Sequence, residues 1–322
     1  MNSPVNSVWG LLTIFIIFAN MKQAVPHIVQ YQGSKRKLAE QILRHMPNRF
    51  NRLIEPFSGM ASISIAVAFR GMSDNFIIND INPDIVSILQ SAVESPEELI
   101  SSYTCLWGEQ FSFDGGSEEH FYKVRNDFNH GDKKACAMLY LLARCVKGSV
   151  RYNSSGEFNQ SPDKRRSGTS PSSLSFNVRA ISNILKGKTL FYSKDFREIL
   201  DLARKGDIIY MDPPYQGVSN VRDHRYISGL SFDEFVISLK DLNKRGIDYI
   251  ISYDGRLGEK KYGQDLPSEL GLVRYDLNAG LSTQALYLGK KLNTYEALYV
   301  SKGLASHYKE RPTCIQKQLE FE

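Results

Sequence analysis

Four consecutive residues, Asp212, Pro213, Pro214 and Tyr215, bring together groups that suit one kind of chemistry. They stop the apolar run "DIIYM", which cannot go on as a strand because neither proline has an N–H for the ladder. Such a stop is either an ordinary turn or a site built at a strand end. A carboxylate next to a backbone carbonyl can accept both hydrogens of an exocyclic amine. That would draw the nitrogen toward the sp³-like geometry in which its lone pair can attack. The prolines fix φ and hold the carbonyl in place, while the tyrosine offers a flat face on which a planar base can stack. Each part occurs in chance turns, but the combination after an apolar run points to amine chemistry on a ring.

Two further acids sit where apolar runs end. "LIEPFSGMAS" passes from a strand through Glu55 into a glycine turn at Gly59 that opens a helix, so a ligand could approach the backbone there. It is neither a G-x-G-x-x-G fingerprint nor a P-loop, and alone it reads as a plain strand-to-helix turn. "FIINDINPDI" places Asp80 at the end of the next run. An acid at that point commonly takes both hydroxyls of a ribose, although Asp80 or Asn82 could instead cap the following helix. With the glycine turn before it, the ribose role is favoured. Dinucleotide enzymes share this geometry, so the residues alone leave the cofactor open.

These acids need a sheet to bring them together. Seven runs read as strands: Leu53–Phe57, Phe76–Ile81, Thr189–Tyr192, Ile208–Asp212, Asp248–Tyr253, Leu272–Leu277 and Ala297–Ser301. Helix signals lie between several of them. "SFDE" at Ser231 to Glu234 is a capping box opening a helix with Phe232, Phe235, Val236, Leu239 and Leu242 on one face, closed by Gly246. "SPEE" at Ser95 to Glu98 is a second box, and Ser34 can cap a helix carrying Leu38, Ile42, Leu43 and Met46 that stops at Pro47. Strands alternating with helices predict an open α/β sheet with helices on both faces. The alternation breaks from Val93 to Ile184, where an apolar helical stretch, Ala135–Val146, gives way to a long loop rich in Ser, Gly and Arg. We read 93–184 as an inserted, mostly helical domain within a sheet domain formed by 21–92 and 185–322.

The net charge of +5 over 322 residues is unevenly spread. Ala143 to Lys188 holds nine bases and two acids, a local +7 that leaves −2 for the rest. Such an asymmetry suggests an anionic partner such as nucleic acid, against the plainer reading of a solvated basic loop. Four cysteines without a C-x-x-C pair form neither a disulfide framework nor a zinc pattern, and six scattered histidines give a metal no support. A reducing, cytoplasmic setting fits. The twelve-residue run "VWGLLTIFIIFA" is too short to span a bilayer and lacks a basic lead-in, so no membrane association is expected. Met21 begins an ordinary-looking start, and residues 1–20 are expected to be a spurious upstream extension.

The order of these motifs resembles the Dam-like family of DNA adenine N6-methyltransferases. The resemblance runs through "QYQGSKRKLAEQILRHMP", "LIEPFSGMAS", "INDINPDIV", "FYKVRNDFN", "VRYNSSGEFN" and "DIIYMDPPY". It implies a Rossmann-like methyltransferase sheet, an inserted DNA-recognition domain with a β-hairpin, and S-adenosylmethionine as methyl donor. Carried over by position, Tyr31 and Lys35 would line the cofactor site, with Gly33 allowing close approach. Glu55, Phe57 and Gly59 would border the methionine part, Asp80 would hold the ribose, and Asp195 would lie near the adenine. Asp212 would face both cofactor and target, with Pro213, Pro214 and Tyr215 completing the catalytic motif. The chain departs from the family pattern in having Gln32 and Ser34 around Gly33, which bears on fine geometry.

In the segment resembling the recognition hairpin, Arg151, Tyr152 and Asn153 would approach the duplex, arginine reading guanine and tyrosine wedging into the stack. Lys164, Arg165 and Arg166 would contact phosphates. The resemblance implies a monomeric enzyme acting on double-stranded DNA, with a cognate restriction endonuclease as a candidate partner and no metal. An RNA adenine N6-methyltransferase and a catalytically silent DNA-binding relative are the alternatives. The recognition sequence and the role of the tail, Lys302–Glu322, are not readable.

Overall fold

The computed structural model describes residues 24–132, 134–214, 231–257, 260–261, 265–281 and 293–309. Residues 1–20 with Met21, Tyr215 and the tail beyond 309 therefore lie outside the described residues. The centre is one mixed sheet in the order β3-β2-β1-β4-β5-β8-β7. Its strands are β1 (Arg52–Glu55), β2 (Phe76–Asn79), β3 (Thr189–Tyr192), β4 (Asp207–Met211), β5 (Asp248–Leu257), β7 (Val273–Leu281) and β8 (Asn293–Val300). The first five in this spatial order run parallel, and β8 then enters antiparallel between β5 and β7. All seven expected runs are strands. The last three extend further than their apolar cores suggested, and an eighth, the two-residue β6 (Lys260–Lys261), pairs with β5.

The strands read as continuous apolar runs because both faces are covered, as parallel sheets require. Side chains alternate between two cores at period two. Leu53, Phe76, Ile78, Ile208, Tyr210, Ile250 and Leu298 enter one, and Ile54, Ile77, Ile209, Met211, Ile251 and Ala297 enter the other. The second core is closed by α8 (Phe196–Asp201) and α9 (Phe232–Arg245). In α9 the Ser231 hydroxyl accepts from the Glu234 N–H, and Gly246 ends the helix in the left-handed region, as the sequence predicts.

The first core is covered by α1 (Ala39–Leu43), α2 (Ser62–Phe69) and α3 (Pro83–Glu94). Beyond α3 the chain forms α4 (Pro96–Glu109), α5 (Gly116–His130) and α6 (Ala135–Arg144), makes an antiparallel excursion over residues 145–163, and returns through α7 (Pro171–Leu185). The chain ends in α10 (Lys302–Lys309) among the described residues. Residues of these returning helices, Tyr103, Phe121, Leu139, Leu142, Leu174 and Ile181, belong to the same buried cluster as Leu53 and Ile208 of the sheet. The Ser182 hydroxyl also donates to the Val93 carbonyl at 2.7 Å, fastening α7 to the end of α3.

Two helix starts differ from expectation. Ser95 makes no side-chain cap to α4; it also ends α3, its N–H donating to the Ser91 carbonyl, and its backbone at φ −130°, ψ 55° is not the extended form of the Ser231 and Ser170 caps. Ser34 caps a 3₁₀ turn, Lys35–Lys37, that passes into the short α1 ending at Leu43, rather than one helix reaching Pro47. No helix among the described residues is long and apolar enough to cross a membrane.

Candidate active site

A cleft of about 270 Å³ opens at the carboxyl ends of β1, β2 and β4. This is where an open α/β sheet binds ligands, because the chain leaves β1 and β4 toward opposite edges and the connecting loops part there. Each expected acid arrives from a strand end: Glu55 from β1, Asp80 just past β2, Asp195 past β3 and Asp212 just past β4. All four line the cleft, together with Tyr31, Gly33, Lys35, Phe57, Gly59, Pro213 and Pro214. Tyr215 is outside the described residues.

The turn after β1 is shaped by close contact. Gly59 has φ +48°, and a Cβ there would stand 2.9 Å from Cε1 of Tyr31, so the ring occupies the space a side chain would need. Tyr31 itself starts a turn in which the Ser34 N–H donates to the Tyr31 carbonyl and Gly33 takes φ +85°. This turn delivers Lys35 into the cleft. Asp80 accepts from the Gly59 N–H at 2.9 Å through Oδ2 and from the Asn82 N–H at 2.9 Å through Oδ1. Each oxygen keeps a second lone pair, and burial raises the carboxyl above its ordinary value. Asn82 in turn caps α3 by accepting from the Asp84 N–H, so capping falls to Asn82.

Asn79, unremarked in the sequence, ties three strand ends together. Its buried amide donates to the carbonyls of Pro56 and Lys194 at 2.9 and 3.0 Å and accepts from the Lys194 N–H at 2.9 Å. The available signal was an amide within an otherwise apolar run.

At the floor, the Lys35 ammonium, only 6% exposed, lies 2.8 Å from Asp212 Oδ1 and 3.2 Å from Oε1 of Glu296. Glu296 comes from β8, far along the chain, and was also missed; an acid inside the run "YEALYV" was its mark. Glu55 lies beneath, 2% exposed. Its Oε2 accepts from both the N–H and the hydroxyl of Ser64, at 3.0 and 2.5 Å. Burial pushes this carboxyl up to about 8, so at neutral pH it carries a proton. Tyr210 meets the Ser252 hydroxyl at 2.8 Å, and burial with Asp212 nearby holds its phenol well above the usual range.

The opposite wall is aromatic and ionic. The Phe57 ring lies 5.2 Å from that of Phe196, which packs on Phe235. Asp195 caps α8 by accepting from the Arg197 N–H and is gripped by the Arg197 guanidinium, which lowers its pKa; Arg197 also reaches Glu234. Asp195 thus borders the cleft with both oxygens already engaged.

The excursion over 145–163 is an antiparallel ladder closed by bridges Cys145↔Pro162 and Tyr152↔Phe158. Arg151 is exposed on it. Asn153 makes its turn, accepting from the Ser155 and Glu157 N–H groups. Tyr152 is engaged inward: its hydroxyl donates to Asp84 at 2.6 Å, and its ring packs edge-on against Phe158. A tyrosine so held is not presented as a wedge in this structure. Lys164 and Arg165 are exposed with surface ion pairs to Glu118 and Asp163, and Arg166 donates to the Gln30 side chain.

Comparison with known proteins agrees with this layout. The family described as D12 class N6 adenine-specific DNA methyltransferase matches residues 31–279. A DNA N-6-adenine-methyltransferase of Escherichia phage P1 is 30% identical over 239 residues, 71% of this chain and 30% of that protein. The Retron Ec67 DNA adenine methylase of Escherichia coli is 28% identical over 195 residues, 59% of this chain and 64% of that protein. Type II methyltransferase M1.LlaDCHI of Lactococcus lactis subsp. cremoris is 26% identical over 237 residues, 69% and 79% of the two chains. The matched part is thus under a third of the phage protein and just under two thirds of the retron one.

Proposed function

Because the chain belongs to the D12 class N6 adenine-specific DNA methyltransferase family, we propose that it methylates N6 of an adenine flipped out of double-stranded DNA at a specific sequence, using S-adenosylmethionine. The observation that carries this reading is Asp212-Pro213-Pro214 on the cleft at the end of the central strand β4, with Lys35 paired to Asp212. The donor set fits the cofactor. Asp80 keeps lone pairs for two hydroxyls next to apolar Ile81 and Phe196, and acids outnumber Lys35 around it, which suits a positive sulfonium. Tyr31, Gly33, Glu55, Phe57, Gly59 and Asp80 would hold it.

When bound, S-adenosylmethionine would supply a methyl group activated by positive sulfur, which leaves as the neutral thioether, with the surplus amino proton passing to water. The residues of this chain prepare the amine. Asp212 and the Pro213 carbonyl accept its hydrogens and draw the lone pair out of ring conjugation, and the prolines keep that carbonyl fixed. Fixed acceptors need no reorganisation during reaction, which is the main source of acceleration in such a site. We assign target recognition to the inserted residues 93–184, Arg151 reading a base and Lys164 and Arg165 meeting phosphates. The type II relative makes a restriction endonuclease a candidate partner of a monomeric, cytoplasmic enzyme.

Labelled methyl transfer to duplex DNA and to RNA tests the reading. Asp212→Ala should lose turnover on duplex adenine about a thousandfold or more while holding the duplex nearly as tightly. Transfer by that variant at the parental rate, or transfer to RNA in preference to duplex, would overturn it.

A further inference from the structure

Against Lys35, outside the residues that line the cleft, stands an acid that the reaction as described does not use. Glu296 is 14% exposed, and it comes from a strand that runs against all its parallel neighbours. Its aim is built in by the backbone. Between Ser252 and Gly255 the pairing of β5 with β8 slips by one residue, and Glu296 is the residue opposite Gly255, immediately past the slip. The extra residue lies on β5, while β8 keeps its regular alternation and so carries Glu296 on the face of Leu298 and Val300. Oε1 lies 3.2 Å from the Lys35 ammonium, and Asp212 lies 2.8 Å from the same nitrogen.

We propose that Glu296 is a positioning residue for methyl transfer, which shares Lys35 with Asp212 and thereby keeps Asp212 an open acceptor in a corner of net negative charge. The inference rests on the methyltransferase reading above. A lysine paired with Asp212 alone would spend its donors on the carboxylate that must receive the amine, and the two charges would cancel. With Glu296 present, the ammonium is divided between two acids. The groups facing it are Asp212 and Tyr210 from the β4 end, Glu296 from β8 and the Gly33 carbonyl, which accepts from it at 3.4 Å. Burial raises both the Glu55 carboxyl and the Tyr210 phenol, and the single ammonium of Lys35 stands against two acids, Asp212 and Glu296. That excess of acids favours a sulfonium over an uncharged thioether.

The test compares binding of S-adenosylmethionine with S-adenosylhomocysteine, which lacks the sulfonium charge, by titration calorimetry of the full chain. In Glu296→Gln, affinity for the sulfonium should fall about tenfold more than affinity for the thioether, the scale of one nearby charge in a half-buried site. Its kcat on duplex DNA should fall at least tenfold. Glu296→Asp, which keeps the charge, should restore the preference for the sulfonium even where kcat stays low, and it serves as the readout if the glutamine variant does not fold. Equal losses for both ligands in Glu296→Gln, or no preference regained in Glu296→Asp, would reduce Glu296 to a structural counter-ion. If the parental protein binds neither ligand and transfers no methyl group, the functional reading itself fails and takes this inference with it.

Discussion

Glu55 carries a proton into the neutral range because the core around it cannot solvate a charge. Its carboxyl is raised from 4.5 to about 8 in the fold, whereas the unfolded chain releases the proton near the lower value. Between these limits the folded state binds the proton more tightly, so this group makes stability fall as pH rises, and the loss is complete above about 8. Glu55→Gln removes the titration and keeps the Ser64 contacts, since the amide oxygen in the place of Oε2 can accept from both the Ser64 N–H and its hydroxyl. Thermal unfolding should therefore show the variant gaining on the parent steadily from about pH 5 to about pH 8. Curves that stay parallel across that range would mean that Glu55 ionises normally.

Strand ends are where residues become a site, and Asn79 shows how. One amide satisfies the carbonyls after β1 and β3 and the Lys194 N–H, so three loops keep a common register. Asn79→Ala would leave these backbone groups buried without partners, at a cost of roughly 2–4 kcal/mol. Urea unfolding should register that loss, and cofactor affinity should drop with it as the Pro56 to Gly59 turn loosens; an unchanged midpoint would exclude the stitch. The strands themselves were legible because each is an apolar run cut off by Gly, Pro or an acid, and the acids at their ends were legible for the same reason. Asn79 and Glu296 were not, because their value depends on which strands become neighbours. The Lys35–Glu296 pair exists only once β8 has inserted between β5 and β7. The Ser95 box misled because one residue cannot end α3 and cap α4 with the same geometry. Tyr152 shows the converse: its position on the excursion was visible, but the Asp84 carboxylate that holds its hydroxyl lies in α3, 68 residues earlier.

The whole molecule is bound by a core that ignores the division into sheet and insertion. Tyr103, Leu139 and Leu174 share one buried cluster with Leu53 and Ile208, so the insertion has no separate interior to fall back on. Urea unfolding should then be a single transition. In a Trp9→Phe background, where Trp107 of α4 is the sole tryptophan, its fluorescence should report the same midpoint as far-ultraviolet circular dichroism of the whole chain. Two separated midpoints would show the insertion melting alone. The pairing at the centre of the sheet also has a consequence in time. Arg52 of β1 lies opposite Asp207 of β4 and is bonded to it, although 155 positions separate them. A ribosome adding about 5–20 residues per second takes on the order of ten to thirty seconds to cover that distance. Throughout that interval the edge of β1 that will meet β4 has no partner strand. Folding of this protein is a wait for β4, and the nascent chain is most in need of a chaperone before Asp212 has been made.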